Sequence, residues 1–316
     1  MTLTRRGLLL TPATLLAAKP QSNTAFHGIY PIVQTPFRED DTLDTETLKK
    51  QTAFLLRCGV QGMAWPQLAS EFWSLTIEER LKGAETLLAA GKGSATKIMI
   101  GVQSGNVDES IRMAKHAAKN GAHALISLPP AGTTLTAFFK QISAAAPGLP
   151  LCLQAVGKIT VDEVIALSRE VPAVKIVKDE AGVTLPRISE FRTKAPSLTV
   201  FTGAHGRTMI DELLRGASGC MPAAGPADLY TKAYNEWRQG KRQQSVRTFA
   251  RAAVLIPEFE QYGIEGLKYL LMLRGVFPNH KIRAPRNGDV GVLATKANLD
   301  DQGKQALKTL WEGVSR

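Results

Sequence analysis

The chain has 316 residues, 44% of them hydrophobic and 21% charged, which is enough apolar material for a full core at an ordinary charge fraction. The formal net charge is +11 and the pI about 9.6, but no run of five or more basic residues and no basic stretch interleaved with aromatics accompanies it. A nucleic-acid partner is therefore not expected, and the excess charge reads as a solvated basic surface suited to acidic substrates. Cys58, Cys152 and Cys220 are an odd set without CxxC spacing, and the five histidines form no HxH or HExxH pair. Neither a disulfide framework nor a metal site is expected, and no cofactor is called for.

The N-terminus carries Thr4-Arg5-Arg6-Gly7-Leu8-Leu9, followed by an uncharged apolar stretch from Leu8 to Ala18. A paired arginine ahead of a short apolar segment has the form of a twin-arginine export signal. The stretch is shorter than the roughly 20 apolar residues needed to span a bilayer. Residues 1–25 are accordingly read as an export signal, with a periplasmic destination, and the fold is taken to begin at residue 26.

From there short apolar runs alternate with helical patterns. Gly28–Thr35, Gly62–Gln67, Lys97–Ser104, Ala122–Ser127, Pro150–Ala155, Ala173–Lys178, Leu198–Gly203 and Gly219–Met221 read as strands. Thr76-x-x-Glu79 and Thr160-x-x-Glu163 are capping boxes that open two of the helices between them. Asp108 and Glu109 suit the positive N-terminal end of another, which ends at Gly121. Strands alternating with helices imply parallel pairing through crossovers. Eight such units before residue 224 fit a closed (β/α)8 TIM barrel, an α/β fold. An open doubly wound sheet is the alternative, but no GxGxxG follows the first strand. After Met221 the pattern becomes purely helical: Asp228–Gln239, Lys241–Glu260, Tyr262–Arg274 and a last helix from Asp300 to Trp311, with a loop over Pro278–Gly291. The expected organisation is a barrel over residues 26–224 and a C-terminal helical extension over 225–316.

Active sites of such barrels lie at the C-terminal ends of the strands. In Ala173-Val174-Lys175-Ile176-Val177-Lys178, alternation places Val174, Ile176 and Lys178 on one face, so an inward face would put Lys178 at the mouth. A solvated lysine is a non-nucleophilic ammonium at neutral pH. Burial among Val and Ile would favour the free amine, which attacks a ketone and forms an iminium that stabilises a neighbouring carbanion. A lysine ending a strand is by itself more often a solvated strand end, so the surrounding sequence has to decide.

Val174-Lys175-Ile176-Val177-Lys178-Asp179-Glu180-Ala181-Gly182 resembles the Schiff-base strand of the dihydrodipicolinate synthase/N-acetylneuraminate lyase family. Pro31-Ile32-Val33-Gln34-Thr35-Pro36-Phe37 is similar to the family's first strand, and Glu71 with Leu75-Thr76 falls where the family has Gly-Thr-Thr-Gly-Glu and then Leu-Thr. Phe201-Thr202-Gly203 and Gly216-Ala217-Ser218-Gly219 match the seventh strand and the approach to the eighth. The resemblance implies that Lys178 is a Schiff-base lysine, that the substrate is a small 2-oxo acid, that no metal takes part, and that the chain forms a homo-oligomer, often a tetramer.

Departures from the family pattern are equally informative. The Thr-Thr pair that holds the oxo acid's carboxylate falls on Leu68-Ala69, and the next glycine on Ser70. The catalytic tyrosine ending the fifth strand becomes Gln154, whose amide cannot shuttle a proton. Leu128-Pro129-Pro130-Ala131-Gly132 replaces an aromatic loop. Glu180 is expected to share the face of Lys178 and to substitute in the proton relay, while Asp179 points away. Glu71 is read as a loop-holding residue. Ser70, beside Ala69, is expected to bind the carboxylate, and Lys158 is either a reader of a second carboxylate or a solvated loop residue. His205 is either an acid–base group at the mouth or an inert loop histidine, and Met221, ending the eighth strand, is counted with the substrate-binding residues. These features imply a Schiff-base lyase or aldolase of a small or sugar-derived oxo acid. The alternatives are a Schiff-base dehydratase or hydratase of a sugar acid, or an exported barrel that binds without turnover.

Overall fold

The computed structural model describes residues 26–283 and 297–315. The export signal expected over 1–25 and most of the loop expected over 278–291 lie outside the described residues. Eight strands form the frame: β1 (Gly28–Ile29), β2 (Gly62–Trp65), β3 (Lys97–Gly101), β4 (Ala124–Ser127), β5 (Leu151–Ala155), β6 (Val174–Asp179), β7 (Thr199–Thr202) and β8 (Gly219–Cys220). Neighbours pair in parallel in the order β1-β8-β7-β6-β5-β4-β3-β2. Ile32, just past β1, bridges in parallel to Ala64 on one side and Ala223 on the other, which closes the ring. This is the expected (β/α)8 barrel.

Helices α1 (Thr45–Arg57), α2 (Ile77–Ala90), α3 (Val107–Lys119), α4 (Leu135–Ala145), α5 (Val161–Glu170), α6 (Thr184–Lys194) and α7 (Met209–Leu214) run between the strands. Both expected capping boxes form. Thr76 accepts from the Glu79 amide and Thr160 from the Glu163 amide, and each glutamate reaches back to its threonine's amide. Caps of this kind are each worth about 1 kcal/mol. The period-2 pattern of the strands splits the core. Met99, Ile126, Cys152, Ile176 and Phe201 fill the barrel interior. Leu125, Leu153 and Val177 pack outward against helix residues such as Leu87, Phe138 and Phe191.

One strand departs from strict alternation. The β5–β6 register shifts, with Leu151 opposite Val174 but Cys152 opposite Ile176, so that Lys175 is an exposed extra residue. Val174 therefore packs in the outer layer, which corrects the expectation that it shares the inner face. From Ile176 onward alternation holds, with Ile176 and Lys178 inward and Asp179 outward, held by a bidentate pair to Arg187 on α6 at 2.8 Å and 2.8 Å.

The extension comprises α8 (Ala227–Arg238), α9 (Arg242–Ala253), α10 (Ile256–Leu273) and α11 (Asp301–Val314). An additional break lies at Val254–Leu255, and the one expected at 261 falls within α10 at Gly263, where φ is 54° and ψ −139° and two helical segments join across a kink. Two charged anchors dock these helices. Arg274 pairs with both oxygens of Asp228 and lies over the rings of Phe54 and Trp311. Lys268, fully buried on α10, pairs with Glu71 and sits 4.4 Å from the centre of the Phe37 ring. Glu71 also accepts from the Arg283 amide, and the Lys268 amine donates to the Lys281 carbonyl. Burial pushes the Lys268 pKa down and Glu71 opposes that shift. Removing one partner of a buried pair leaves an uncompensated charge. Lys268→Met is accordingly expected to lower the free energy of urea unfolding by about 3–5 kcal/mol, with partial recovery in the double variant Glu71→Gln/Lys268→Met. A loss under about 1 kcal/mol would show that this lysine does not hold Glu71.

Candidate active site

Lys178 lies one residue before the end of β6, with only 4% of its surface exposed. It lines a cavity of about 560 Å³ at the C-terminal end of the barrel. Its neighbours in the ladder are Gln154 on β5 and Phe201 on β7. The Lys178 Nζ is 2.7 Å from Glu180 Oε2. Glu180 keeps the inward face because its own amide donates to the Ala155 carbonyl, which carries the β5–β6 ladder one residue past the strand. Gln154 Nε2 donates to Glu180 Oε2 at 2.7 Å, and the Ala204 amide donates to Oε1 at 3.1 Å. Burial pushes the Glu180 carboxyl up, but Lys178 and these hydrogen bonds outweigh it and hold the group below the usual carboxylate range. The surround of the amine is thus a carboxylate, not the apolar wall expected from Val and Ile alone.

The loop after β7 is shaped around that carboxylate. A side chain at Gly203 would place its Cβ 1.8 Å from Glu180 Oε1. Ala204, His205 and Gly206 then follow with φ of 47°, 56° and 68°. Left-handed backbone costs a non-glycine residue about 1–2 kcal/mol, and such strain gathers at functional sites. Its result here is to aim the Ala204 amide at Glu180 and to set His205 and Arg207 in the cavity wall. Tyr230 holds the turn by donating its hydroxyl to the His205 carbonyl at 2.5 Å. Burial lowers the His205 imidazole to about 4, so that it is neutral at neutral pH.

Of the other residues singled out, Ala69 and Met221 line the cavity with Lys178, Glu180 and His205. Gln154 is buried and touches the site through Glu180, while its own Oε1 has no partner among the described residues. Ser70 does not reach the cavity. Its hydroxyl donates to the Val33 carbonyl and accepts from the Gln67 amide, so the expected carboxylate role gives way to loop closure. Lys158 is exposed and outside the lining, which favours the solvated-loop reading over a second-carboxylate reader. Glu71 holds its loop, as described above. Arg207 and Glu260 were not singled out in the sequence, yet both line the cavity and pair at 3.1 Å. Among the described residues, no group of three or more His, Cys, Asp or Glu is placed to hold a metal ion.

Residues 25–290 match the model of the dihydrodipicolinate synthetase family. A protein of Escherichia coli K12 named as a probable 2-dehydro-3-deoxy-D-pentonate aldolase is 27% identical over 230 residues, 68% of this chain and 75% of that one. An uncharacterised DapA-like lyase of Thermococcus kodakarensis is 28% identical over 281 residues, 83% of this chain and 93% of its own length. The same fold is seen in dihydrodipicolinate synthase of Rhodopseudomonas palustris, with a TM-score of 0.80 at 22% identity, covering 91% of this chain and 97% of that one. It is seen again in an E. coli K12 prophage protein of the dihydrodipicolinic acid synthase family solved with pyruvate, with a TM-score of 0.80 at 20% identity, covering 92% and 99%.

The fit of Glu180 against Gly203 yields a direct expectation. Gly203→Ala must push the Glu180 carboxylate off its three donors, with a stability loss of at least about 2 kcal/mol in chemical unfolding. The pH dependence has a definite sign. A carboxyl held below its unfolded value stabilises the fold above about pH 4.3, and that contribution is lost as pH falls through the lower folded value. The Gly203→Ala deficit should therefore be large at pH 7 and shrink on acidification below the ordinary carboxylate range. A deficit independent of pH would show that the alanine acts by crowding alone and leaves the contacts of the ionised Glu180 intact.

Proposed function

The chain belongs to the dihydrodipicolinate synthetase family, and from that footing we propose that it is a Schiff-base lyase of a small 2-oxo acid, with Lys178 as nucleophile and Glu180 as its acid–base partner. The observation that carries this reading is the Glu180 carboxylate 2.7 Å from the Lys178 amine at the mouth of the barrel. Glu180 takes a proton from the ammonium and frees the amine, which adds to the ketone carbon of the oxo acid. Glu180 then returns that proton to the oxygen of the adduct and relays a second one to it from the nitrogen, and the oxygen leaves as water. Hydrogen and charge balance: of the three ammonium hydrogens, one stays on the iminium, two leave in water, and the single positive charge is kept. Cleavage of the next carbon–carbon bond needs a base to take the hydroxyl proton of the departing aldehyde while the iminium accepts the electron pair. Glu180, a carboxylate again, is the group in place for it.

By the resemblance, Gln154 falls where the family has its tyrosine. Its amide donates to Glu180 and positions it, but no proton passes through it. His205, neutral at neutral pH, can accept a proton but has none to spare as an acid. The pentonate aldolase relative supports carbon–carbon cleavage of a sugar-derived oxo acid, and the pyruvate-bound neighbour supports an oxo acid as the ligand class.

Borohydride trapping with pyruvate, followed by turnover of 2-oxo-3-deoxy sugar acids, tests this reading. Lys178→Ala is expected to abolish the trapped adduct. Glu180→Gln should lower turnover by about 10²- to 10⁴-fold, the range of general acid–base catalysis. Because Glu180 titrates below the ordinary carboxylate range, the acid limb of kcat/KM should lie below about pH 4.3 and vanish in Glu180→Gln. Turnover unchanged in Glu180→Gln would remove Glu180 from the mechanism, and His205→Asn then tests the remaining titrating group. An adduct that forms without turnover of any oxo acid would favour a binding barrel, the reading that loss of the family tyrosine supports.

Export is proposed as well, on Arg5-Arg6 ahead of the uncharged Leu8–Ala18 stretch. Replacing both arginines by lysine should retain the protein in the cytoplasm, as read by cell fractionation, and unchanged localisation would overturn the twin-arginine assignment.

A further inference from the structure

Beyond the lysine, the cavity carries a second ion pair. Arg207 follows the left-handed turn after β7, and Glu260 lies on α10 just ahead of the Gly263 kink. Both line the same cavity as Lys178, with Nη1 and Oε1 3.1 Å apart and side chains 58% and 35% exposed. His205 shares the cavity lining with both pairs. The geometry is a deep pair that meets the reacting carbonyl and a rim pair reached by whatever extends from it. The volume of about 560 Å³ leaves room well beyond a three-carbon acid.

We infer that Arg207 and Glu260 are specificity-determining residues that read an uncharged, hydroxylated tail on the oxo-acid substrate. This rests on the Schiff-base reading above and deepens it. A hydroxyl both donates and accepts, so neighbouring hydroxyls satisfy a guanidinium and a carboxylate held side by side. A tail ending in a second carboxylate meets Arg207 only within reach of the Glu260 charge, and like charges disfavour it. An apolar tail would cover the pair and strip the solvent from its remaining donors and acceptors without replacing those hydrogen bonds. Phe259, one residue from Glu260 and also in the lining, offers an apolar face to the carbon chain.

The test runs the reaction in the direction of condensation. Pyruvate is the donor, and glyceraldehyde, propanal and succinic semialdehyde are acceptors of hydroxylated, apolar and carboxylated tail. A site that hydrogen-bonds a hydroxyl discriminates against the analogue lacking it, and this half-exposed pair should give about tenfold or more in kcat/KM for glyceraldehyde over propanal. Glu260→Gln should reduce that preference about tenfold and raise succinic semialdehyde relative to glyceraldehyde, because it frees Arg207 for an anion. Arg207→Met should reduce the glyceraldehyde preference without raising succinic semialdehyde. Trapping of pyruvate on the parent protein separates the two readings. If trapping fails, the Schiff-base reading falls and takes this inference with it. If trapping succeeds and the acceptor ratios are unaltered by both substitutions, the rim assignment alone is overturned.

Discussion

The structure at the barrel mouth depends on a buried charge that has to be matched. Placing the Lys178 amine among Ile176, Phe201 and the other interior residues would be costly for a lone cation, with an effective penalty of several kcal/mol per ion. Glu180 removes that penalty only because it lies two residues along the same extended strand, and its amide bond to Ala155 keeps the chain extended that far. The carboxylate in turn must be met by donors. Gln154 supplies one from β5, and the loop after β7 supplies another from the Ala204 amide. Gly203, the left-handed Ala204 and His205, and the Tyr230 bond to the His205 carbonyl all follow from fitting a backbone amide against that oxygen. A single ion pair thus explains local features on β5, β6, β7 and α8.

What was legible in the sequence follows the range of the interaction responsible. The eight strands, the two capping boxes and the inward placement of Lys178 are set by contacts within a few residues, and period and cap chemistry reveal them. Val174 was misread because the extra residue Lys175 is set by register with β5, which local alternation does not encode. The tail boundary near 254 had a usable signal in Pro257, since proline sits readily in a first helical turn. The interruption expected at 261 falls at Gly263, the residue type that takes a positive φ at least cost. Ser70 lay at the right position in the chain for a carboxylate contact, yet two backbone groups within its own fold claim its hydroxyl first. Arg207 and Glu260 are 53 positions apart, and nothing short of the folded chain brings them together.

The helical extension is part of the site. Barrel interior residues and tail residues form one continuous apolar cluster, in which Ile176 and Phe201 join Phe259, Leu267 and Leu270. Helix α10 acts at two points along its length. At Lys268 it grips Glu71, which lies directly after the turn that presents Leu68 and Ala69 to the cavity. At Phe259 and Glu260 it lines that same cavity. The Gly263 kink lies between these points. The buried anchor therefore ties the turn that supplies one part of the lining to the helix that supplies another, a packing constraint on the room left for substrate.

In the proposed mechanism Gln154, which the resemblance sets against the family's tyrosine, shifts the proton work to Glu180 without emptying the site of it. A tyrosine both gives and takes a proton, whereas an amide does neither near neutral pH. The proposed imine formation, however, moves its two protons only between the nitrogen and the oxygen bound to one carbon. A single carboxylate in contact with the nitrogen can take each in turn and give it up, provided that it begins ionised. Glu180 meets that condition because Lys178 and its hydrogen bonds outweigh its burial. Gln154 contributes by donating to the carboxylate, and that bond fixes which end of the amide faces it. The other end, Oε1, has no hydrogen-bond partner among the described residues. In the proposed mechanism residue 154 thus aims the group that moves protons and moves none itself.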